Sequence, residues 1–141
     1  MGGNNSEAHS RLVNDVLLEI GRRHPNVTAW KNHTGQAYTP GSVVDALNFV
    51  MSNFFKMSAA DCFKQARSKL IPISFGVTGQ ADISGIIAPD GQRLEIEIKT
   101  GKGKQSEAQM RYQAMIKRHG GVYVVLRSIE DLVNIYQKEI L

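Results

Sequence analysis

The chain has 141 residues, 42% hydrophobic and 21% charged, which suits one domain with a single apolar core and is too short for two comfortable ones. A formal net charge of +4 and an isoelectric point near 9.3 suit an anionic partner without demanding one. A solitary Cys62 excludes an internal disulfide and fits a reducing, cytoplasmic setting. The longest apolar run, VVDALNFVMSNFF, is broken by Asp45, Asn48, Ser52 and Asn53 and is too short for a membrane span, so no membrane partner is expected.

No signal peptide is expected, and the opening MGGNNS fits the short myristoylation pattern, which chance often produces, but reads in preference as a flexible leader. From Ser6 onward, Leu12, Val13, Val16, Leu17 and Ile20 recur at helical spacing until Gly21, predicting a first helix. NVTAW reads as a strand entering the polar turn KNHTG. Val43, Val44, Leu47, Val50, Met51, Phe54 and Phe55 share one helical face, and Ser58 is placed to cap a short helix to about Ser68. The whole chain, 1–141, reads as one domain with a helical insert at about 43–70. The apolar face of that insert is large for its size and fits core packing, a subunit interface or a cover over a site.

IPISF is then a short strand and GVTGQ a glycine loop. ADISGII and RLEIEIK flank APDG, which is strong turn chemistry, so a hairpin follows. Ser106 with Gln109 forms a capping-box pattern for a helix closed by Gly120-Gly121. VYVVL is a strand, and Ser128 with Asp131 opens a last helix carrying Leu132, Ile135, Tyr136 and Ile140. This order predicts an α/β domain with a central mixed β-sheet flanked by helices.

If Ala88 to Gly91 turns the hairpin, Ile83 faces Ile96, Ala81 faces Ile98 and Gly85 faces Leu94 on one dry side. The other side carries Asp82, Ser84, Glu95, Glu97 and Lys99, with Ile86 the one apolar exception. A slip of one residue would mix the two sides. Asp82 then lies across from Glu97 with Cβ atoms ~4.5–5.5 Å apart. Lys99 follows Glu97 on the same side, roughly 7 Å along the strand. Adjoining carboxylates repel unless a cation lies between them, and a hard ion such as Mg²⁺ or Mn²⁺ takes oxygen ligands, to which the Ile98 carbonyl would add a third. Lys99 would position an attacking water or offset charge growing on a phosphate. The competing reading is a solvated strand face with a cross-strand ion pair; Asp82, arriving just after a glycine loop, favours the site.

Basic residues crowd the region after Lys99: Lys102, Lys104, Arg111, Lys117 and Arg118, against one acid, Glu107. GKGK precedes a helix N-terminus, where free amides favour phosphate, although the P-loop spacing is absent. Lys31 and Asn32 form a similar cluster with His33 and Trp30, and Trp30 reads as core in preference to a base-stacking platform.

The Asp…Glu-x-Lys signature, set in GVTGQADISGII, GQRLEIEIKTGKGKQSEAQ and GGVYVVLRSIEDL, resembles the VRR-NUC branch of the PD-(D/E)xK nucleases over about the last 70 residues. The resemblance extends more loosely through AWKNHTG. It implies a restriction-endonuclease-like fold and a divalent-metal-dependent endodeoxyribonuclease. In that family's terms Asp82, Glu97 and the Ile98 carbonyl would hold Mg²⁺ or Mn²⁺, Lys99 would be the catalytic lysine, and Gln109 would stand beside the site as well as in the capping box. Lys31 and Asn32 match the family's basic-Asn pair, and with Lys102, Lys104 and Arg111 they would contact DNA. The resemblance also implies a homodimer acting on branched DNA such as Holliday junctions, in DNA repair.

Two positions depart from the pattern. Ala81 replaces the proline that names the superfamily. His9 stands where many members place an acid on the first helix, sharing a face with Leu12, Val16 and Ile20, while Glu7 lies nearly opposite and favours the helix N-terminus. His9 as a metal ligand competes with His9 as a packed, hydrogen-bonded side chain. A basic module that keeps the fold and binds DNA without cutting it is the alternative function, and an RNA-directed nuclease is a third.

Overall fold

The computed structural model describes residues 3–33 and 35–135. In chain order its elements are α1 (Gly3–Arg23), β1 (Val27–Lys31), β2 (Gly35–Tyr38), α2 (Pro40–Asn53), α3 (Ala59–Ser68), β3 (Pro72–Phe75), β4 (Ile83–Ile87), β5 (Gln92–Ile98), α4 (Glu107–Arg118), β6 (Val122–Leu126) and α5 (Ile129–Ile135). They divide into two compact units, one of Met1–His33 with Val77–Leu141 and the other of Thr34–Gly76. Among the described residues no helix is long and apolar enough to cross a membrane.

The first unit is a mixed α/β layer built on a four-stranded sheet of order β1-β4-β5-β6, antiparallel except for the parallel β5–β6 pair. The hairpin register is the expected one: Ile83 pairs with Ile96, Ser84 with Glu95 and Gly85 with Leu94. On one side of the sheet, Val13, Val16 and Ile20 of α1 and Leu132 of α5 bury Ile83, Leu94, Ile96, Ile98, Val124 and Leu126. α1 begins at Gly3, so the expected flexible leader is helical from there, and Gly21 lies inside the last turn instead of ending it. Open space surrounds Gly21, and the helix stops two residues before Pro25, which disfavours helical backbone in the residue preceding it. Tyr136 and Ile140, expected on the last helix, lie outside the described residues.

The opposite side of the hairpin, where a site competed with a solvated face, is covered around Ser84, Glu95 and Glu97 and open at Ile86. Ser84 and Glu95 are 0% exposed and Glu97 1%, because Tyr112 and Ile116 of α4 pack over Tyr123 of β6 beside them. Ala81 joins that second cluster, not the face of Ile98. Regular pairing ends at Ile83, so strict alternation no longer governs the residues before it. Gly79 (φ +81°) brings the preceding loop against the Ala108 carbonyl at the start of α4, a contact that a Cβ would obstruct.

In the second unit, β2 pairs antiparallel with β3, and Ser58 caps α3 by accepting from the Asp61 N–H. The unit is wider than the expected 43–70 insert because GQAY, too short and polar to announce a strand, pairs with PISF. Only Ser42, Ala46, Cys62 and Ala66 of its described residues are buried. α2 ends at Asn53, short of the expected Phe55, and its apolar face is open, with Val44, Leu47 and Met51 exposed and Phe55 exposed just beyond it.

Candidate functional site

Asp82 sits one residue before β4, and Asn32 brackets it. The Asn32 backbone N–H donates to the Asp82 carbonyl (2.8 Å), and its side-chain nitrogen donates to the Ala81 carbonyl (2.8 Å) and Ser84 Oγ (2.6 Å). Asp82 Oδ2 accepts from the Ile98 N–H (2.8 Å) and lies 3.2 Å from His9 Nε2. The aspartate thus takes the place of a β4 carbonyl where the ladder stops. In extended backbone the N–H and C=O of one residue leave on the same side, so the Ile98 carbonyl is also turned toward Asp82.

Glu97 is buried next to it. Its Oε1 receives Lys99 Nζ (2.6 Å) and Gln109 Nε2 (2.6 Å), while Oε2 is buried without a hydrogen-bond partner. Burial pushes the Glu97 carboxyl above its ordinary value, the Lys99 hydrogen bond opposes this, and the Asp82 charge adds to it. Lys99 Nζ also donates to Gln109 Oε1 (3.0 Å). Gln109 closes the capping box at the same time, accepting from the Ser106 N–H (2.9 Å) while its own N–H reaches Ser106 Oγ (3.2 Å). Both of its expected positions therefore hold at once.

These groups fit a hard divalent ion. The donors are oxygens, and the unpartnered Glu97 Oε2 is a buried acceptor in want of a cation or a donor. Among the described residues no cluster of three or more His, Cys, Asp or Glu side chains is gathered for a metal. An ion here would have to be held by the two carboxylates together with a backbone oxygen such as the Ile98 carbonyl. His9 Nε2 contacts Asp82 Oδ2, so the imidazole stands at the edge of the same group. Glu7 is exposed and pairs with Arg11 at 4.0 Å.

The basic residues divide. Lys31, Lys102 and Lys104 are exposed, and Arg111 is exposed beside Glu107 at 3.5 Å. Asn32, expected on DNA, has its amide committed inside the fold. Arg127, which sequence reasoning passed over, donates to the carbonyls of Gly101 (3.0 Å) and Gly103 (2.8 Å) and so secures the lysine loop. Its signal was weak, a lone arginine after an apolar strand.

A second polar cluster on β5 was also missed. Glu95 Oε1 receives Arg93 Nη2 (2.7 Å), Arg93 Nε (2.8 Å) and the Tyr112 hydroxyl (3.1 Å), and Ser84 Oγ lies 3.0 Å from both carboxylate oxygens. The signal was present, since Glu-x-Glu in a strand places both acids on one side, and burying one buries the other. Trp30, expected in the core, is 41% exposed, with the Arg93 guanidinium 5.6 Å from its ring centroid. No protein-family model, curated protein or solved structure matches this chain.

Proposed function

We propose that the chain is a divalent-metal-dependent endonuclease of the PD-(D/E)xK kind, with a VRR-NUC-like, restriction-endonuclease-like first unit acting on DNA. The observation that carries this reading is the buried, unpartnered Glu97 Oε2 with Lys99 and Asp82 at its side. Asp82, Glu97 and the Ile98 carbonyl would hold Mg²⁺ or Mn²⁺. The bound ion would supply Lewis acidity and a lowered pKa for water.

The side chains perform the rest. Gln109, fixed by its helix cap, holds the Lys99 ammonium by its oxygen and Glu97 by its nitrogen. The ammonium is thereby set to orient a water or to offset charge growing on the phosphate. Asn32 keeps Asp82 at the end of β4, and Lys102 and Lys104 face solvent where a phosphodiester backbone would run. The open apolar face of α2 supports a homodimer, and a two-fold dimer suits a branched duplex such as a Holliday junction, as in DNA repair. A lone buried thiol supports a cytoplasmic setting.

The test is cutting of a labelled four-way junction in Mg²⁺ or Mn²⁺ by the wild type, Lys99→Ala and Asp82→Asn. Each variant is expected to lose about a thousandfold in rate with its fold intact. Undiminished cutting by either ends the proposal. The His9–Asp82 contact favours one second reading, a DNA-binding module that does not cut, which binding in EDTA without cleavage in either metal would select.

A further inference from the structure

The Trp30–Arg93 pair is not used by the site above, yet it is built with care. Trp30 pairs across the ladder with Ser84, and Ser84 with Glu95, so the three stand in a row across β1, β4 and β5. Packing from α4 covers the Glu95 end of that row through Tyr112, and the Trp30 end stays open. A fully buried carboxylate is costly unless paired, and here Glu95 grips the guanidinium of Arg93 through two nitrogens. Ser84 Oγ receives a further contact from Arg93 Nη2 (3.0 Å). The guanidinium is thereby immobilised against Trp30 while the Arg93 side chain remains 40% exposed. Anchoring from below and exposure above describe a preorganised platform of an indole and a guanidinium plane.

We infer that Trp30 and Arg93 form a stacking subsite for an unpaired base of single-stranded DNA beside the proposed cutting site. Both surfaces stack on base faces, which a base inside a duplex conceals from them. The placement fits, because Ser84, the cross-strand partner of Trp30, lies two residues from Asp82, roughly 7 Å along the strand. A phosphate at Asp82 would put a neighbouring nucleotide over the platform. Exposed Lys31, next in the chain, adds charge of the correct sign. The inference rests on the nuclease reading and deepens it, selecting substrates with an unpaired nucleotide next to the cut.

Trp30 is the only tryptophan, so its emission reports the subsite directly. The full chain is titrated in EDTA at low salt with labelled oligothymidylate, a DNA duplex of equal length and oligouridylate, following tryptophan emission and probe anisotropy together. Oligothymidylate is expected to quench emission with the midpoint seen in anisotropy, and the duplex to bind without quenching. Trp30→Ala should weaken oligothymidylate binding by about ten- to a hundredfold and leave duplex binding unchanged, with Trp30→Phe restoring most of the loss. Should Trp30→Ala not fold by thermal melting, quenching of the wild type and the affinity of Trp30→Phe decide the matter. Oligothymidylate binding without quenching, no binding, or equal affinity in Trp30→Ala overturns the subsite, and tighter binding of oligouridylate overturns its assignment to DNA. Because no cleavage is read, quenching by a protein that never cuts would sink the nuclease and leave the subsite standing. Cutting without quenching would do the reverse.

Discussion

Glu95 and Glu97 lie on one strand, point to one side of it and are almost equally buried, at 0% and 1% exposure. Their surroundings are opposite. Arginine, serine and tyrosine surround Glu95, and both of its oxygens have partners. Glu97 has two donors crowded on one oxygen and none on the other, and its carboxyl is pushed upward by burial with the Asp82 charge nearby. Burial alone therefore does not distinguish a site from a structural ion pair. The unfinished hydrogen bonding of Glu97 is the difference on which the proposed metal site rests, because a bound cation would complete it.

The comparison breaks first at Glu95. Replacing it by Gln removes the charge that Arg93 pairs with and sets an NH2 donor where a second acceptor stood, and urea unfolding should show a loss of about 3 kcal/mol. A loss below about 1 kcal/mol would mean that the pair is no more structural than a surface one.

Glu97→Gln should act in the other direction. The folded-state pKa of Glu97 lies above its unfolded value, so between the two the folded protein holds more protons. The metal-free wild type therefore loses stability as pH rises from the ordinary carboxylate value through the raised one. The variant lacks that loss, and its melting temperature at pH 7 should exceed the metal-free wild type by about 3 °C. Mg²⁺ should raise the wild-type melting temperature and leave the variant unmoved. A variant that melts lower, or responds equally to Mg²⁺, removes the distinction between the two acids.

The smallest effect belongs to the lysine loop that serves the Glu97 half. Lys102→Ala with Lys104→Ala should lower the salt dependence of DNA binding, the slope of log K against log salt, by about 2. Thermal melts should not change. An unchanged slope would place the loop away from DNA.

Much of the Glu97 half was legible because it depends on local rules. Turn chemistry at Ala88 to Gly91 and two-residue alternation gave the register that sets Ser84 against Glu95, and Ser106-x-x-Gln109 gave a cap whose glutamine also reaches Lys99. The Glu95 half was not legible, because which side of a sheet is covered depends on a helix arriving later in the chain. Asn32 illustrates the same limit: the resemblance suggested a DNA contact, and its side-chain amide turned out to hold the Ala81 carbonyl and Ser84 Oγ while its backbone N–H holds the Asp82 carbonyl. The face of Val44, Leu47 and Met51 had helical periodicity, yet periodicity shows what an element presents and not what it packs against.

The sequence by itself determined the strands and helices of the first unit, the hairpin register, the placing of Glu97 and Lys99 on one side of their strand and the capping box of Ser106 and Gln109, all of which follow from side-chain period, turns and caps. Only the tertiary structure decided that both acids of EIEIK are buried, that Arg93 and Tyr112 satisfy one of them, and that Glu97 keeps an oxygen without a donor. Those outcomes depend on the packing of α4 against β5 and β6, a contact between residues distant in the chain that no local pattern encodes.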